Sequence, residues 1–385
     1  MLVAVLLPTL RGGGGETRTS YRPGTVLLDL ETGKQIGFIG PAQLAEAAYP
    51  VFAEGHFWVN NFSPNAYVEI DPRTGGILKQ LTPPGRDPSV LAGSVSLTPF
   101  AVEGTTLWVT SAHDLVKMDI GLGREVDRFR LDDYVGGGSG LAEGVAVGGG
   151  SLWVSRDVGS GQIVRLNPAT GKVEHRWDDV TPYVQLAFGD GFLWAADETG
   201  IARIDAQTNL PAKANDIQGN QMVAAGGGFG WTSDDTKGVV YKVDKTGRLA
   251  ATHSTGLGAT FMSYTNGALW VGNQDEGTVT GIDAVTGKLT TYRFGHPVLT
   301  VTAGGGILLV SLGPGQTVED HIGALTGKVA RFFAHKGELG QGDEPALNTD
   351  PAAFQIDFAT CAKLLNYPDK PAPDGWRLRP EIAAA

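Results

Sequence analysis

The sequence predicts an all-β chain: a seven-bladed β-propeller of four-stranded antiparallel blades, closed by its own N-terminal hairpin. Three observations predict it. An apolar strand centred on an aromatic residue recurs at Trp58, Trp108, Trp153, Trp194, Trp231 and Trp270, with Leu309 in the seventh slot. A hairpin of the form Asp-x-x-Thr-Gly recurs with it, at Asp29 to Gly33, Asp71 to Gly75, Asn167 to Gly171 and Asp283 to Gly287. Looser versions occur at Asp119 to Gly123, Asp205 to Asn209 and Asp244 to Gly247. Finally, the period is roughly 40 residues, the length of a blade or solenoid link that cannot bury its own hydrophobic face.

The opening segment, Met1 to Leu10, is apolar but too short for a bilayer crossing, which needs roughly 20 residues. It also lacks a basic leader region and a cleavage site. Two readings stay open, an ordinary apolar terminus and the end of a membrane anchor followed by a linker, Arg11 to Thr19. The hairpin Thr25 to Ile39 comes next and has no inner strand pair before it.

The repeat is clearest in Ala259 to Phe294. Ala259 to Tyr264 reads as an apolar strand, Asn266-Gly267 as a hairpin turn, and Ala268 to Gly272 as the strand carrying Trp270. A polar loop leads to the alternating strand Thr278 to Ile282. Asp283 to Gly287 turns the chain into a more polar fourth strand, Lys288 to Phe294. In that turn Asp accepts hydrogen bonds from backbone groups two or three residues on, and Gly takes the positive φ. One lone carboxylate per hairpin fits a turn better than a calcium loop. The Trp side chains read as core.

Glycine is abundant, 56 residues, and forms the runs 136–138, 148–150, 226–228 and 304–306. All but the first precede an aromatic strand, which points to turns. The last inner pair, Pro297 to Ser311, lacks an outer hairpin. Pairing it with Thr25 to Ile39 closes the ring and leaves no open sheet edge, with Val26 to Leu30 beside Leu309. A competing eighth hairpin, Gly323 to Gly327, follows a strand with three consecutive polar residues, Glu319 to His321, which fits poorly. Beyond it, Asp350 and Pro351 can start a helix with Phe354, Phe358, Cys361 and Leu365 along one face, stopped by Asn366 and Pro368.

Formal net charge is −11, without a basic stripe, so nucleic acid is not an expected partner. A single cysteine, Cys361, excludes an intrachain disulfide and reads as a small buried hydrophobe. No glycine-rich nucleotide loop opens a helix, and no Gly-x-Ser-x-Gly elbow occurs. The seven histidines are scattered. No cofactor and no metal site is expected.

One constellation remains. Loops following the aromatic strands carry Asp157, Asp197-Glu198, Asp234-Asp235 and Asp275-Glu276 in four successive blades. Equivalent loops share one face, so these carboxylates are candidates for an acidic arc that attracts a small cationic or peptide ligand. The competing reading is a solvated polar rim. On the arc reading, Asp234→Asn combined with Asp275→Asn weakens cation binding and leaves melting nearly unchanged.

The motifs "LWVTS", "LWVSR" and "LWVGN", followed by "IDAVTGK" or "LNPATGK", carry a resemblance over residues 25–312 to YVTN and NHL-type propellers. The stretch is also similar to the virginiamycin B lyase-like group. These motifs specify fold far more than function. For a lyase, the resemblance implies a metal-assisted His/Glu site in the central channel, on strands reading "WFTE". None of the seven strands here reads so.

Residues 347–383 resemble the opening of a family 5 extracellular solute-binding protein, the receptors of peptide and nickel ABC importers. "HIGAL" at His321 to Leu325 resembles a degraded start of such a domain. The implied organisation is a tail (1–24), a propeller (25–315) and the truncated start of a solute-binding domain (316–385). The expected function is a non-enzymatic, extracytoplasmic recognition or scaffold propeller of a solute-binding or sensor protein, membrane-anchored at full length. ABC importer components would be partners through the remainder of that domain, and no span lies in this chain. The alternatives are a lyase-like propeller enzyme and a purely structural spacer.

Overall fold

The computed structural model describes residues 21–45, 47–62, 65–82, 100–111, 113–131, 142–158, 161–178, 185–197, 200–214, 217, 222–314, 365–366 and 379–380. Strands β1 (Gly24–Asp29) and β2 (Gln35–Ile39) precede blade 1, formed by β3 (Ala47–Ala53), β4 (His56–Phe62), β5 (Asn65–Ile70) and β6 (Ile77–Leu81). Blade 2 holds β7 (Phe100–Glu103), β8 (Thr106–Ser111), β9 (Asp114–Asp119) and β10 (Arg124–Arg130). Blade 3 holds β11 (Ala142–Gly148), β12 (Ser151–Arg156), β13 (Gln162–Leu166) and β14 (Val173–Asp178). Blade 4 holds β15 (Gln185–Gly189), β16 (Phe192–Asp197), β17 (Gly200–Asp205) and β18 (Pro211–Ala214). Blade 5 holds β19 (Val223–Gly226), β20 (Phe229–Asp234), β21 (Val239–Asp244) and β22 (Leu249–Ser254). Blade 6 holds β23 (Ala259–Thr265), β24 (Ala268–Asn273), β25 (Thr278–Asp283) and β26 (Leu289–Arg293).

Blade 7 is built from both ends of the repeat region. Its inner strands are β27 (Val298–Gly304) and β28 (Ile307–Leu312), its outer ones β1 and β2, in the order β2-β1-β28-β27. Leu27 stands opposite Leu309 and Gly24 opposite Leu312, and the Thr25 and Ser311 hydroxyls bond at 2.9 Å. The closure read from the orphan half-blades is therefore the one the molecule uses. The fold also begins slightly earlier than residue 25. Tyr21 packs on Phe294 with ring centroids 4.9 Å apart, and Arg22 lies over the Phe38 ring.

Each blade's first strand is innermost, and every inner strand touches the next around the ring, β27 meeting β3. Burial peaks at the second strand, as in β12 and β28, buried throughout, and is least at the outermost, as in the largely exposed β22. The core lies between blades rather than inside one. Trp58 packs with Leu107, Val109 and Met118 of blade 2, Trp108 with Val145 and Leu152 of blade 3, and Trp270 with Val301 and Val310 of blade 7. Leu309 takes the equivalent place between blades 7 and 1.

All seven outer hairpins close alike. The fifth residue's N–H, or the fourth's at Gly247, donates to the first residue's carbonyl at 2.8–2.9 Å, as in Gly33 to Asp29 and Gly287 to Asp283. The Asp side chain then accepts from residues two or three further on, as Asp283 does from the Val285 and Thr286 amides at 3.0 and 2.7 Å. Such bonds favour the ionised form and hold Asp29, Asp71, Asp205, Asp244 and Asp283 below the usual carboxylate range.

The glycine runs do more than turn. The second and third residues of 148–150, 226–228 and 304–306 have positive φ, as expected for a tight hairpin. The first has another role: a methyl group on Gly148, Gly226 or Gly304 would overlap the ring of Phe188, Tyr264 or Phe52 in the next blade. The Gly148 and Gly226 carbonyls also accept the indole N–H of Trp153 and Trp231, at 3.1 and 3.2 Å.

A second inter-blade device escaped the sequence reading. Opposite the Trp, the third strand carries Lys117, Arg165, Arg203 or Lys242 in blades 2 to 5. Lys117 and Arg165 lie over the Trp108 and Trp153 rings, 5.3 and 5.1 Å from the centroids. Arg165 and Lys242 reach on to the Ala206 and Ala284 carbonyls of the next blade, both at 2.6 Å.

The chain divides into two units, 1–323 and 324–385. In the second, β29 (Leu365–Asn366) pairs antiparallel with β30 (Arg379–Pro380). The apolar spacing had placed Leu365 on a helix. In the structure Leu365 stands in β29 instead. The remainder of that expected helix and the competing hairpin 323–327 lie outside the described residues. Among the described residues no helix is long and apolar enough to cross a membrane.

Candidate functional site

The ring has two chemically different faces. One carries the hairpins between first and second strands and those between third and fourth. The opposite face carries the remaining links, and these differ widely in length, from 82–99 and 131–141 to 255–258 and 294–297. Gly24 and Leu312 pair at this loop face, so the chain enters and leaves the propeller here. Loops held on a rigid scaffold are where binding residues are expected.

At the centre is an axial cavity of about 120 Å³, lined from all seven blades. Tyr49, Phe100, Val145, Leu186, Val223, Met262 and Val301 each contribute from the innermost strand. In blades 2 to 7 these residues share one register, pairing with Val109, Val154, Ala195, Thr232, Val271 and Val310, one position after the Trp or Leu309. In blade 1 the ladder shifts between Ala48 and Val51, and Tyr49 and Pro50 fill the bulge. Phe100, Gln185 and Val223 stand at the first residues of their strands, which places the cavity toward the loop face.

Tyr49 is held at φ 46°, a left-handed conformation costing a bulky residue about 1–3 kcal/mol. Its ring meets Phe261 edge to face at a centroid distance of 6.2 Å. The lining side chains are apolar apart from Gln185 and the Tyr49 phenol. Among the described residues no group of three or more His, Cys, Asp or Glu is placed to hold a metal ion.

The expected acidic arc is divided by the structure. Asp234, at the end of β20, is 5% exposed and turns into its own loop. It accepts from Thr236 Oγ1 at 2.7 Å and the Lys237 amide at 3.0 Å, and pairs with Lys237 Nζ at 2.5 Å. Burial acts to raise its carboxyl, but these donors prevail and hold it below the usual range. Asp234 is thus tied into its own loop, which argues against the expectation that its loss would leave melting unchanged.

Asp235, Asp275 and Glu276 gather around the link 255–258 between blades 5 and 6. The Asp235 carbonyl accepts from the Gly258 amide at 3.0 Å, and Glu276 Oε1 accepts from the Leu257 amide at 3.1 Å. Asp275 abuts Gly258 so closely that a side chain at Gly258 would meet it. Asp157 stands apart in blade 3, just beyond the buried Arg156. Asp197 ends β16 opposite Gly200; its side chain and all of Glu198 lie outside the described residues. One signal was readable: Lys237 follows Asp234 at i+3 with Thr between, a self-satisfying turn.

No family model matches the chain, and no curated protein matches it. Solved structures do. A streptogramin B lyase aligns with 75% of this chain and 98% of its own, at 14% identity and TM-score 0.54. The virginiamycin B lyase of Staphylococcus aureus aligns with 69% of this chain and 94% of its own, at 12% identity and TM-score 0.52. An extracellular domain of a one-component system from B. thetaiotaomicron covers 72% of this chain and 42% of that chain, at 14% identity and TM-score 0.53. At these identities the likeness is one of fold: this chain is a propeller of the same architecture.

Proposed function

We propose that this propeller is a non-enzymatic recognition or scaffold module that works outside the cytoplasm, as part of a membrane-anchored solute-binding or sensor protein. One observation carries the reading. The axial strands present apolar side chains to the channel from every blade, where acid/base chemistry would need titratable groups held near one another. The loop face supports it, because the links of unequal length sit on a ring that its hairpins and inter-blade bonds keep rigid. The extracellular domain among its structural neighbours agrees with the proposed location. The resemblance of residues 347–383 to the start of a solute-binding domain supports a role beside peptide import.

Two measurements test the proposal. In intact cells bearing the full-length protein, added protease should reach the propeller once any outer barrier is opened, while a cytosolic marker survives. Protection equal to that of the marker would refute the location. Incubation with a streptogramin B and a divalent cation, followed by chromatography, should leave the streptogramin unchanged. Turnover that scales with protein concentration would replace the module reading with the lyase one.

A further inference from the structure

We infer that the axial cavity is a binding site for one neutral aromatic ring, entered from the loop face. Volume is the first argument. About 120 Å³ is comparable with the apolar cavity of about 150 Å³ that takes up benzene in another protein. Lining is the second. Phe100, Phe261 and Tyr49 supply ring edges and faces, while Met222 and Met262 supply polarisable thioethers that adapt to an aromatic guest. Charge is the third. An ion placed here would lose its hydration without gaining a counter-charge from the lining, so neutral guests are selected. Gln185, which shares the lining with the Tyr49 phenol, can give or accept a hydrogen bond, which favours a ring bearing a hydroxyl or N–H over benzene itself.

Backbone geometry adds a fourth, independent argument. Inner-strand ladders shift in blades 1, 3, 6 and 7, and the shift at Tyr49 and Pro50 holds Tyr49 in a costly conformation, edge-on to Phe261. Strain kept beside a cavity points to a role for the residue that bears it. This site does not depend on the recognition proposal, since a ring-binding cavity is compatible with any activity of the loop face.

Methionine reports the test directly, because the chain has 4, of which Met222 and Met262 line the cavity and Met118 is buried among blades 1 and 2. The intact chain is labelled at its methionine methyl groups with carbon-13 and titrated with benzene, with phenol, and with acetyl-Ala-Phe-Ala-amide. Saturable ring-current shifts at Met222 and Met262, with Met118 fixed, are the expected result, and phenol should bind at least threefold tighter than benzene. Filling the cavity by Leu186→Phe or Val223→Phe should raise the benzene Kd at least tenfold, judged in whichever variant keeps the wild-type Met118 resonance. Shifts with the peptide as well would make a peptide's aromatic side chain the occupant; shifts with benzene and phenol alone support a free aromatic molecule. Absence of saturable shifts, equal shifts at Met118, or shifts that persist in a folded cavity-filled variant would overturn the site.

Discussion

The two faces of this propeller are built on opposite rules. On the turn face every outer hairpin closes with a backbone hydrogen bond to its first residue's carbonyl, and struts such as Arg165 to Ala206 tie neighbouring hairpins together. On the loop face the links run from the short 255–258 to the long 82–99. Uniformity is thus confined to one side. That side sets the repeat, and the opposite side is free to differ from blade to blade.

Four experiments break or sharpen this contrast. The largest effect is expected from Gly226→Val, which drives a side chain into Tyr264 and should cost about 3 kcal/mol in denaturant unfolding. Adding Tyr264→Ala should recover part of that loss, and equal costs in the single and double variants would disprove the packing explanation. Next comes Asp234→Asn. Breaking its bonds to Thr236 and Lys237 should cost about 1–2 kcal/mol, although it lies on the loop face. No change in unfolding midpoint would return Asp234 to the role of free surface carboxylate.

Acid gives a smaller, graded effect. The turn-face carboxylates sit below their ordinary value of about 3.9, so their contribution is complete above that pH and fades as pH falls through the lowered values. The melting temperature should therefore drop as pH falls below about 4. Asp29→Asn with Asp244→Asn should flatten the drop, and an unchanged profile would count against the turns as its source. Smallest of all is the insertion of four Gly/Ser residues after residue 182. Loop-closure entropy grows slowly with length, so a loss of only about 0.5 kcal/mol is expected. A loss of several kcal/mol would mean that the loop face too is tightly constrained.

What could be read in advance follows the same division. The Trp strands, the Asp hairpins and the closure of blade 7 were legible because each rests on local pattern or on counting halves. The first glycine of each run was misread as turn chemistry alone. Its partner ring lies in the next blade, about 40 residues on for Gly148 and Gly226 and near the start of the chain for Gly304, where periodicity gives no hint of contact. Lys242 and Arg165 escaped notice for the same reason, since their acceptors belong to neighbouring blades. Of the acidic arc, the shared face was legible and the partners were not. Asp234 and Glu276 spend their oxygens on nearby backbone and Lys237, which residue type alone does not reveal. The cavity lining was legible in principle, by stepping across each ladder one residue past the Trp.

The glycine–ring pairs carry a consequence for how such a molecule can change over generations. Rings face glycine at the junctions of blades 3 with 4, 5 with 6 and 7 with 1, whereas Ala303 and Val102 occupy the ring's position in blades 7 and 2. Each of these three seams therefore needs a glycine opposite its ring. Exchanging blades 3 and 4, for example, would set Phe188 against Glu103 of blade 2 and leave Gly148 facing Ala225 of blade 5. Cutting the circle at a new point would disturb none of them. The order of the blades, and not merely their number, is written into the molecule's inner wall.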